Sequence, residues 1–450
     1  MDVIVIETAP LGDRSYLVHD GQVAIVIDPQ RDIDRVQEAA ADAGVRITHV
    51  AETHIHNDYV TGGLELSAVA GATYLVNAAD PVQYERTPIS DGEEQTVGAL
   101  QIKAVATPGH TVTHLSYVVT HDQEQAVFSG GSLLFGSVGR TDLVDPAKTE
   151  ELTHAQYASV RRIVEHSDAA AELYPTHGFG SFCSSGPATG ASSSTIGEQA
   201  STNHALTDTD EEHFVRALIA NLTAYPTYYA HMGPSNLKGP AAVDLSQPEP
   251  LNAEELTRRL DRGEWVVDLR DRVAFADSHL GGAVSFEYGN GSSFTTCLGW
   301  VLPWDERITL AGTQEQVQQA IRDLSRIGID SPDATIGAGP SDFAPQAPSA
   351  TYSIVDWKGF LDTRSDSEPV LDVRRADEYE AAHLEGAVNI PLHELLTRMD
   401  EVPDARVWVH CGSGYRAGVA ASLLQRAGKD PVHIDAAFGD AESAGISLAT

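Results

Sequence analysis

The segment Thr53-His54-Ile55-His56-Asn57-Asp58-Tyr59 closes an apolar run and gathers two imidazoles and a carboxylate in five residues. On an extended backbone side chains repeat with period two, so His54 and His56 are expected to project to one side. A lone histidine is an ordinary packing or surface residue. Imidazoles converging from one short loop beside a carboxylate form a metal-site layout. Two later segments repeat the device, Ala106-Thr107-Pro108-Gly109-His110-Thr111 and Tyr174-Pro175-Thr176-His177-Gly178. The Pro108-Gly109 turn presents His110 at the end of its strand. Three histidine-bearing strand ends in one segment should meet at a single sheet edge.

A second kind of chemistry sits near the far end of the chain, in His410-Cys411-Gly412-Ser413-Gly414-Tyr415-Arg416. The run Arg406–Val409 reads as a strand and Ala417–Ala427 as a helix. Glycines between them let successive N–H groups curl around one point at a helix N-terminus, a nest that favours negatively charged sulfur. Cys411 is therefore the expected nucleophile, with Arg416 and the loop Gly412, Ser413, Gly414 and Tyr415 holding anionic sulfur. The other two cysteines are isolated. Cys183, six residues past His177, is open to two readings, a persulfide carrier beside the metal or a packing residue. Cys297 lies among aromatic residues and is expected to pack.

The elements that must position these groups come in three segments. Residues 1 to about 230 alternate strand-like runs (Val3–Glu7, Ser15–His19, Val23–Asp28, Thr48–Thr53, Thr73–Val76, Leu100–Thr107, Leu115–Thr120, Ala126–Ser129, Glu172–Pro175) with helical ones at Asp32–Ala43 and Glu150–Glu165. Such α/β alternation suits a layered sheet fold with its loops at one edge. The Gly/Pro-rich stretch from Gly233 to Pro240, followed by Pro248-Glu249-Pro250, reads as a connector. Beyond it Val266-Val267-Asp268-Leu269-Arg270 matches Val370-Leu371-Asp372-Val373-Arg374, and His279–Val284 matches His383–Val388, both at an offset of 104. Two matches in one register imply duplicated α/β domains, so the expected divisions are 1–240, 251–345 and 351–450. Aligning Ala334–Ala338 with Val407–Cys411 lowers the offset to 73 and gives the first copy 31 extra residues. In that alignment Ala338 replaces Cys411 and Phe343 replaces Arg416.

Bulk properties set limits. A chain of 450 residues, 42% hydrophobic and 21% charged, has the composition of a globular protein with several domains. A formal net charge of -36 repels nucleic-acid backbones and anionic membranes. Three scattered cysteines exclude a disulfide framework and suit a reducing compartment. The N-terminus reads as a strand rather than a secretory signal, and no stretch approaches the roughly 18 apolar residues of a membrane span. A cytoplasmic protein with no membrane or nucleic-acid partner is expected.

Taken together, Thr-His-x-His-x-Asp, Pro-Gly-His-Thr and Gly139-Arg140-Thr141-Asp142 resemble the metallo-β-lactamase fold over residues 1–230, and within it the glyoxalase II and persulfide dioxygenase branch. The resemblance implies an N-terminal αββα sandwich. The Cys411 loop, with Asp372-Val373-Arg374 and His383–Pro391, is similar to a rhodanese domain. Its six-residue length implies sulfane sulfur rather than phosphate or arsenate. The expected fold is thus α/β throughout, a sandwich followed by two rhodanese-like domains with parallel sheets. The middle copy, without cysteine or arginine at the loop, is expected to be inactive and to serve as scaffold.

Two departures from the first pattern matter. Tyr59 stands where dinuclear members carry histidine, and Gly131 where a metal-bridging aspartate is usual. Both remove ligands from a second metal position, so the resemblance implies one ion. Persulfide dioxygenases hold iron by the first motif histidine, the Pro-Gly-His histidine and that aspartate. Carried over, His54 and His110 remain, and His56 is the expected substitute for the carboxylate. Asp58 and His177 are further candidates, as ligands or as groups that orient them.

The implied activity is a non-haem Fe(II) persulfide dioxygenase, one iron per chain, coupled to a sulfurtransferase. A low-molecular-weight persulfide and O2 would give sulfite, and Cys411 would pass sulfane sulfur to sulfite to form thiosulfate. An inactive middle domain also fits a homo-oligomer. Imidazole suits zinc as well as iron, so a zinc-dependent glyoxalase II-like thioesterase fused to a sulfurtransferase is an alternative. A metal-free scaffold that presents persulfide to Cys411 is another.

Overall fold

The computed structural model describes residues 1–186, 189–289 and 293–449. It divides into two compact units, Met1–Val243 with Ser325–Gly328, and Asp244–Leu324 with Ile329–Thr450.

The first unit is built on two sheets. Six strands, Asp2–Thr8, Asp13–His19, Val23–Ile27, Arg46–Ala51, Thr73–Asn77 and Thr87–Ile89, lie side by side in chain order. The first three are antiparallel and the rest parallel. A five-stranded sheet runs Glu172–Pro175, Glu124–Gly130, Leu115–His121, Leu100–Ala106, Glu94–Val97. Strand alternation assigns each residue its layer. Tyr16 and Val18 enter the core between the sheets with Ile102, Tyr117, Val119 and Phe128. Leu17, between them in sequence, faces the other way with Val36 and Ala40 of helix Asp34–Ala43 and Leu66 of helix Gly63–Ala70. On the second sheet Val118 and Val127 meet Val160 and Ile163 of helix Thr149–Glu165 and Phe214 and Leu218 of helix Glu211–Ala220. Helix, sheet, sheet, helix is the order expected from the sequence.

One expectation holds only in part at the end of this unit. The boundary falls after Val243, within the expected connector, but the first part of that stretch closes a helix, Tyr229–Lys238 with Pro234 inside it. What holds it is not local propensity but Asn236, whose buried amide donates to His56 O and Tyr59 O, both at 2.9 Å, and accepts from Thr61 N at 2.9 Å. This helix anchors the histidine loop.

The second unit contains two parallel sheets. Four strands run Val284–Ser285, Trp265–Asp268, Ile308–Gly312, Asp333–Ile336. Five run Val388–Asn389, Val370–Asp372, Arg406–His410, Asp430–Ile434, Ser353–Val355. The shared order supports the duplication but corrects its alignment. Asp268 lies opposite Ala311 as Asp372 lies opposite His410. The offset of 104 at the aspartates thus becomes 99 on the neighbouring strand, five extra residues rather than 31. Gly312, not Ala338, occupies the position of Cys411, and helix Gln314–Arg326 follows it as Tyr415–Arg426 follows the cysteine loop. Phe343 is correspondingly not the counterpart of Arg416. The segment Gly312-Thr313-Gln314-Glu315-Gln316 still contains neither thiol nor guanidinium. Among the described residues, no helix is long and apolar enough to cross a membrane.

Candidate metal centre and cysteine loop

The histidines of the first unit follow the carboxyl ends of strands. His54 comes after Arg46–Ala51, His110 after Leu100–Ala106 and His177 after Glu172–Pro175. Open sheets place ligand sites at such ends. His54, His110 and His177 each offer a ligand atom within 4.8 Å of the other two, and all three are buried.

The partners of each ring define which nitrogen is free. Asp28, at the end of Val23–Ile27, accepts from Thr53 N and Thr53 Oγ1, both at 2.7 Å, and from Thr176 Oγ1 at 2.5 Å. With its proton given to Asp28, Thr53 Oγ1 accepts from His54 Nδ1 at 2.8 Å. His110 Nδ1 donates to Arg140 O at 2.7 Å, since a carbonyl only accepts. His177 Nδ1 lies 2.9 Å from Asp13 and 3.1 Å from Asp58. Every Nδ1 is thus turned outward onto an oxygen. The Nε2 atoms face inward: those of His54 and His177 are 3.3 Å apart, and that of His110 is buried without a partner. Inward nitrogens backed by oxygen acceptors are the usual arrangement of metal-binding imidazoles.

His56, the expected third ligand, lies beside His54 with ring centroids 4.1 Å apart, its Nδ1 is buried without a partner, and it offers a ligand atom in two further clusters, with Asp28 and His54 and with Asp58 and His177. Its Nε2 is 3.3 Å from Asp28, 3.2 Å from Glu52 and 3.0 Å from Tyr59 Oη. Burial pulls this imidazole down, but Asp28 and Glu52 outweigh it and hold it at about 9. The strand stops at Ala51 and the histidines lie in a bend, yet their rings still fall on one side, together with Asp28. Asp58 lies 3.1 Å from His177 Nδ1, and it forms a third cluster of ligand atoms with His56 and His177.

Burial sets the remaining electrostatics. It pushes His54 well below its ordinary value, aided by the neighbouring His56, and His110 to about 3, aided by His177. His177 is held up at about 10, Asp58 and Asp13 overcoming its burial. Cys183 is buried, and burial followed by the charge of Asp58 pushes its thiol up.

Gly131 explains the missing carboxylate. A Cβ there would lie 2.2 Å from His110 Cδ2, so the imidazole occupies the space a side chain would need. The Gly131 N–H donates to His114 Nε2 at 3.0 Å, and His114 stacks on His54 with centroids 4.9 Å apart. His114, Asp13, Asp28 and Glu52 escaped the sequence reading. His114 alone left a signal, falling four residues after the Pro-Gly-His histidine.

In the second unit Cys411 ends the strand Arg406–His410 and is fully buried. Gly414 N–H points to its sulfur at 3.2 Å. Gly414 has φ 91, and a Cβ there would strike Asp435 Oδ1 at 2.0 Å, so the turn requires glycine. Gly412 O accepts from Phe438 N at 2.9 Å. Tyr415 Oη leaves the loop and donates to Glu287 O at 3.1 Å. Arg416 is paired through both nitrogens with Glu378, at 2.6 and 2.8 Å. Gly412 passes close beneath it, its would-be Cβ 3.1 Å from Arg416 Nη2.

These two sites define a chain that joins a metallo-beta-lactamase domain to a C-terminal rhodanese-like domain. Residues 10–177 match the Metallo-beta-lactamase superfamily model and residues 358–438 the Rhodanese-like domain model. The chain is similar to "Persulfide dioxygenase ETHE1, mitochondrial" of Homo sapiens, 29% identical over 241 residues, covering 53% of this chain and 80% of that protein. It is also similar to "Hydroxyacylglutathione hydrolase" of Acidiphilium cryptum (strain JF-5), 35% identical over 106 residues, 23% of this chain and 43% of that protein. A solved metallo-beta-lactamase from Staphylococcus aureus subsp. aureus COL superposes with TM-score 0.66 at 25% identity, covering 74% of this chain and 98% of that one.

Proposed function

We propose that the first unit is a mononuclear persulfide dioxygenase and that the C-terminal domain is a sulfurtransferase acting on the same sulfur pool. The observation that carries this reading is the inward set His54, His110 and His177, with a glycine in place of a bridging carboxylate, on the same chain as a cysteine in a glycine-rich loop. A buried, unpartnered imidazole nitrogen beside two others fits a single metal ion. These three residues would hold it, with His56 orienting the loop through Asp28 and Glu52. Ferrous iron at such a site would supply binding and activation of O2 next to a sulfur anion.

The protein's own groups do the rest. Asp13 and Asp58 fix the His177 ring, Thr53 fixes His54 and the Arg140 carbonyl fixes His110, so the ligands are preorganised. In the overall reaction one persulfide, one O2 and one water give a thiol, sulfite and two protons. The four electrons lost by the terminal sulfur match the four taken up by O2. In the second reaction Cys411 takes sulfane sulfur from a persulfide and yields it to sulfite, giving thiosulfate. Gly414 N–H steadies sulfur on Cys411, while Glu378 holds Arg416 at the loop. We assign Cys183 to support of Asp58 rather than to carriage of persulfide. The middle domain is an inactive rhodanese-like copy. Three free thiols suit a reducing, cytoplasmic setting.

The hydrolase relatives favour one other reading, a zinc thioesterase. Oxygen uptake with a low-molecular-weight persulfide separates the two. Iron-loaded wild type should consume oxygen and make thiosulfate, and Cys411→Ser should consume oxygen and stop at sulfite. Absence of oxygen uptake, with thioester hydrolysis by the zinc form, would overturn the dioxygenase reading.

A further inference from the structure

The middle copy departs from the C-terminal one at two positions that meet the cysteine loop. Its helix Arg272–Asp277 begins with arginine, where the matching helix Ala376–Ala381 begins with alanine. An arginine in the first turn opposes the helix dipole, so local propensity does not account for it. Glu287 stands at the same offset of 104 from Pro391. These two side chains pair, Arg272 Nη1 donating to Glu287 Oε2 at 2.5 Å. Arg272 also reaches the C-terminal domain, where its Nε donates to Asp435 Oδ1 at 2.8 Å. The three side chains are 20–24% exposed, which leaves the charges only partly screened.

Both members of the pair act on the loop. The atom that Arg272 holds, Asp435 Oδ1, is the atom that a Cβ at Gly414 would strike at 2.0 Å, so it lies against the Gly414 backbone. Gly414 N–H points to the Cys411 sulfur at 3.2 Å. Its carbonyl accepts from His433 Nε2 at 2.9 Å, so that end is fixed from within the C-terminal domain, and Asp435 fixes the Cα face. The Glu287 carbonyl accepts from Tyr415 Oη at 3.1 Å, the second tie to the loop. Early in the following helix the Arg272 stem passes Gly418, where a Cβ would lie 3.4 Å from Arg272 Cβ. Farther along, Ser422 Oγ accepts from Ser285 N at 3.0 Å.

We propose that the middle copy completes the sulfurtransferase site, with Arg272 as its positioning residue. Arg272 holds Asp435 against Gly414 and Glu287 against Tyr415, and so keeps the Gly414 N–H aimed at sulfur on Cys411. The proposal rests on the reading of Cys411 as a sulfane-sulfur carrier. In that reaction the Cys411 thiolate bonds to the outer sulfur of thiosulfate. The bond between the two thiosulfate sulfurs breaks, its electron pair leaves with sulfite, and Cys411 is left as a persulfide anion. Without Arg272, Asp435 loses both its fixed place and its counter-charge, and a bare carboxylate then stands beside a loop that must hold anionic sulfur. Arg416, the cation expected to meet thiosulfate, is paired with Glu378 inside the C-terminal domain and does not depend on these ties. The rate of transfer should therefore change far more than the binding of thiosulfate.

The test follows single-turnover formation of the Cys411 persulfide by mass spectrometry, mixing the full chain with a series of thiosulfate concentrations. Arg272→Met keeps the stem and removes the guanidinium, and its maximal rate constant should fall on the order of tenfold to a hundredfold. Its half-saturating concentration should change by less than about threefold. Arg272→Lys, which restores the charge without the planar fork, should fall between the two. In an Asp435→Asn background, Arg272→Met should cost less than about twofold more, because the carboxylate it serves is gone. Wild-type rate constants in Arg272→Met, a change confined to the half-saturating concentration, or a loss of full size in the Asp435→Asn background would overturn the proposal and leave the sulfurtransferase reading intact. Absence of persulfide on wild-type Cys411 would overturn both. Should Arg272→Met fail to fold, Tyr415→Phe decides, since it removes one hydroxyl and cuts the second tie. A rate loss of roughly fivefold supports the proposal, and an unchanged rate overturns it.

Discussion

Replacing Gly131 by alanine is the most informative change in the first unit, because a single methyl would intrude on a proposed ligand. Its Cβ would lie 2.2 Å from His110 Cδ2, 2.6 Å from Cγ and 2.7 Å from Nε2. Carbon pairs are comfortable near 3.5 Å, so the ring must retreat by roughly 1.3 Å. It has nowhere to go: Gly139 closes the other side, where a Cβ would be 2.7 Å from His110 Nδ1. Any retreat also strains the 2.7 Å bond from Nδ1 to Arg140 O. Overpacking of this kind costs about 1–3 kcal/mol of stability. Disturbing the orientation of a ligand costs on the order of 10–100-fold in metal affinity. Gly131→Asp shares the same Cβ, so it should lower affinity too instead of restoring the missing carboxylate. Chelator competition measures the affinity, and thermal unfolding of the metal-free protein measures the strain. Wild-type affinity with unchanged Tm in Gly131→Ala would refute the claim that the glycine makes room for His110.

Two further predictions follow from single contacts. Burial opposes ionisation of Glu378, but its bonds to Arg416 prevail and hold the carboxyl at about 2, below the ordinary 4.5. A depressed carboxylate stabilises the fold above the unfolded value, and that contribution is lost as pH falls through the folded value. Acid unfolding monitored by fluorescence should therefore steepen between pH 4.5 and 2 in wild type and flatten in Glu378→Gln; superimposable curves would contradict the pairing. Asn236→Ala strands Thr61 N and the carbonyls of His56 and Tyr59, and each buried group left unsatisfied costs about 1–3 kcal/mol. Its metal affinity should fall with its stability, as followed by thermal unfolding and metal content, and an unchanged variant would mean the helix does not anchor the loop.

Much of this molecule was legible in the sequence where periodicity and strand-end residues act together. Short β-rich runs marked the strands Asp13–His19 and Leu115–His121, and histidines placed just past strand ends marked the site. The carboxylates that surround His56 and His177 were not legible, because Asp13, Asp28 and Glu52 reach the site from other segments. Helix Tyr229–Lys238 was hidden by Gly233 and Pro234, since tertiary bonds from Asn236 override local propensity. The repeat misaligned for a different reason. Buried parallel strands are continuous apolar runs, so Asp333–Ile336 resembled Arg406–His410 although its true counterpart is Asp430–Ile434. Only pairing registers resolve such strands.

The most direct test of the account is the iron bound per chain after anaerobic reconstitution of wild type, His54→Ala, His110→Ala, His177→Ala and His56→Ala. One ion in wild type, loss in the first three variants and retention at reduced affinity in His56→Ala is the predicted result. Full occupancy in His177→Ala with complete loss in His56→Ala would contradict it.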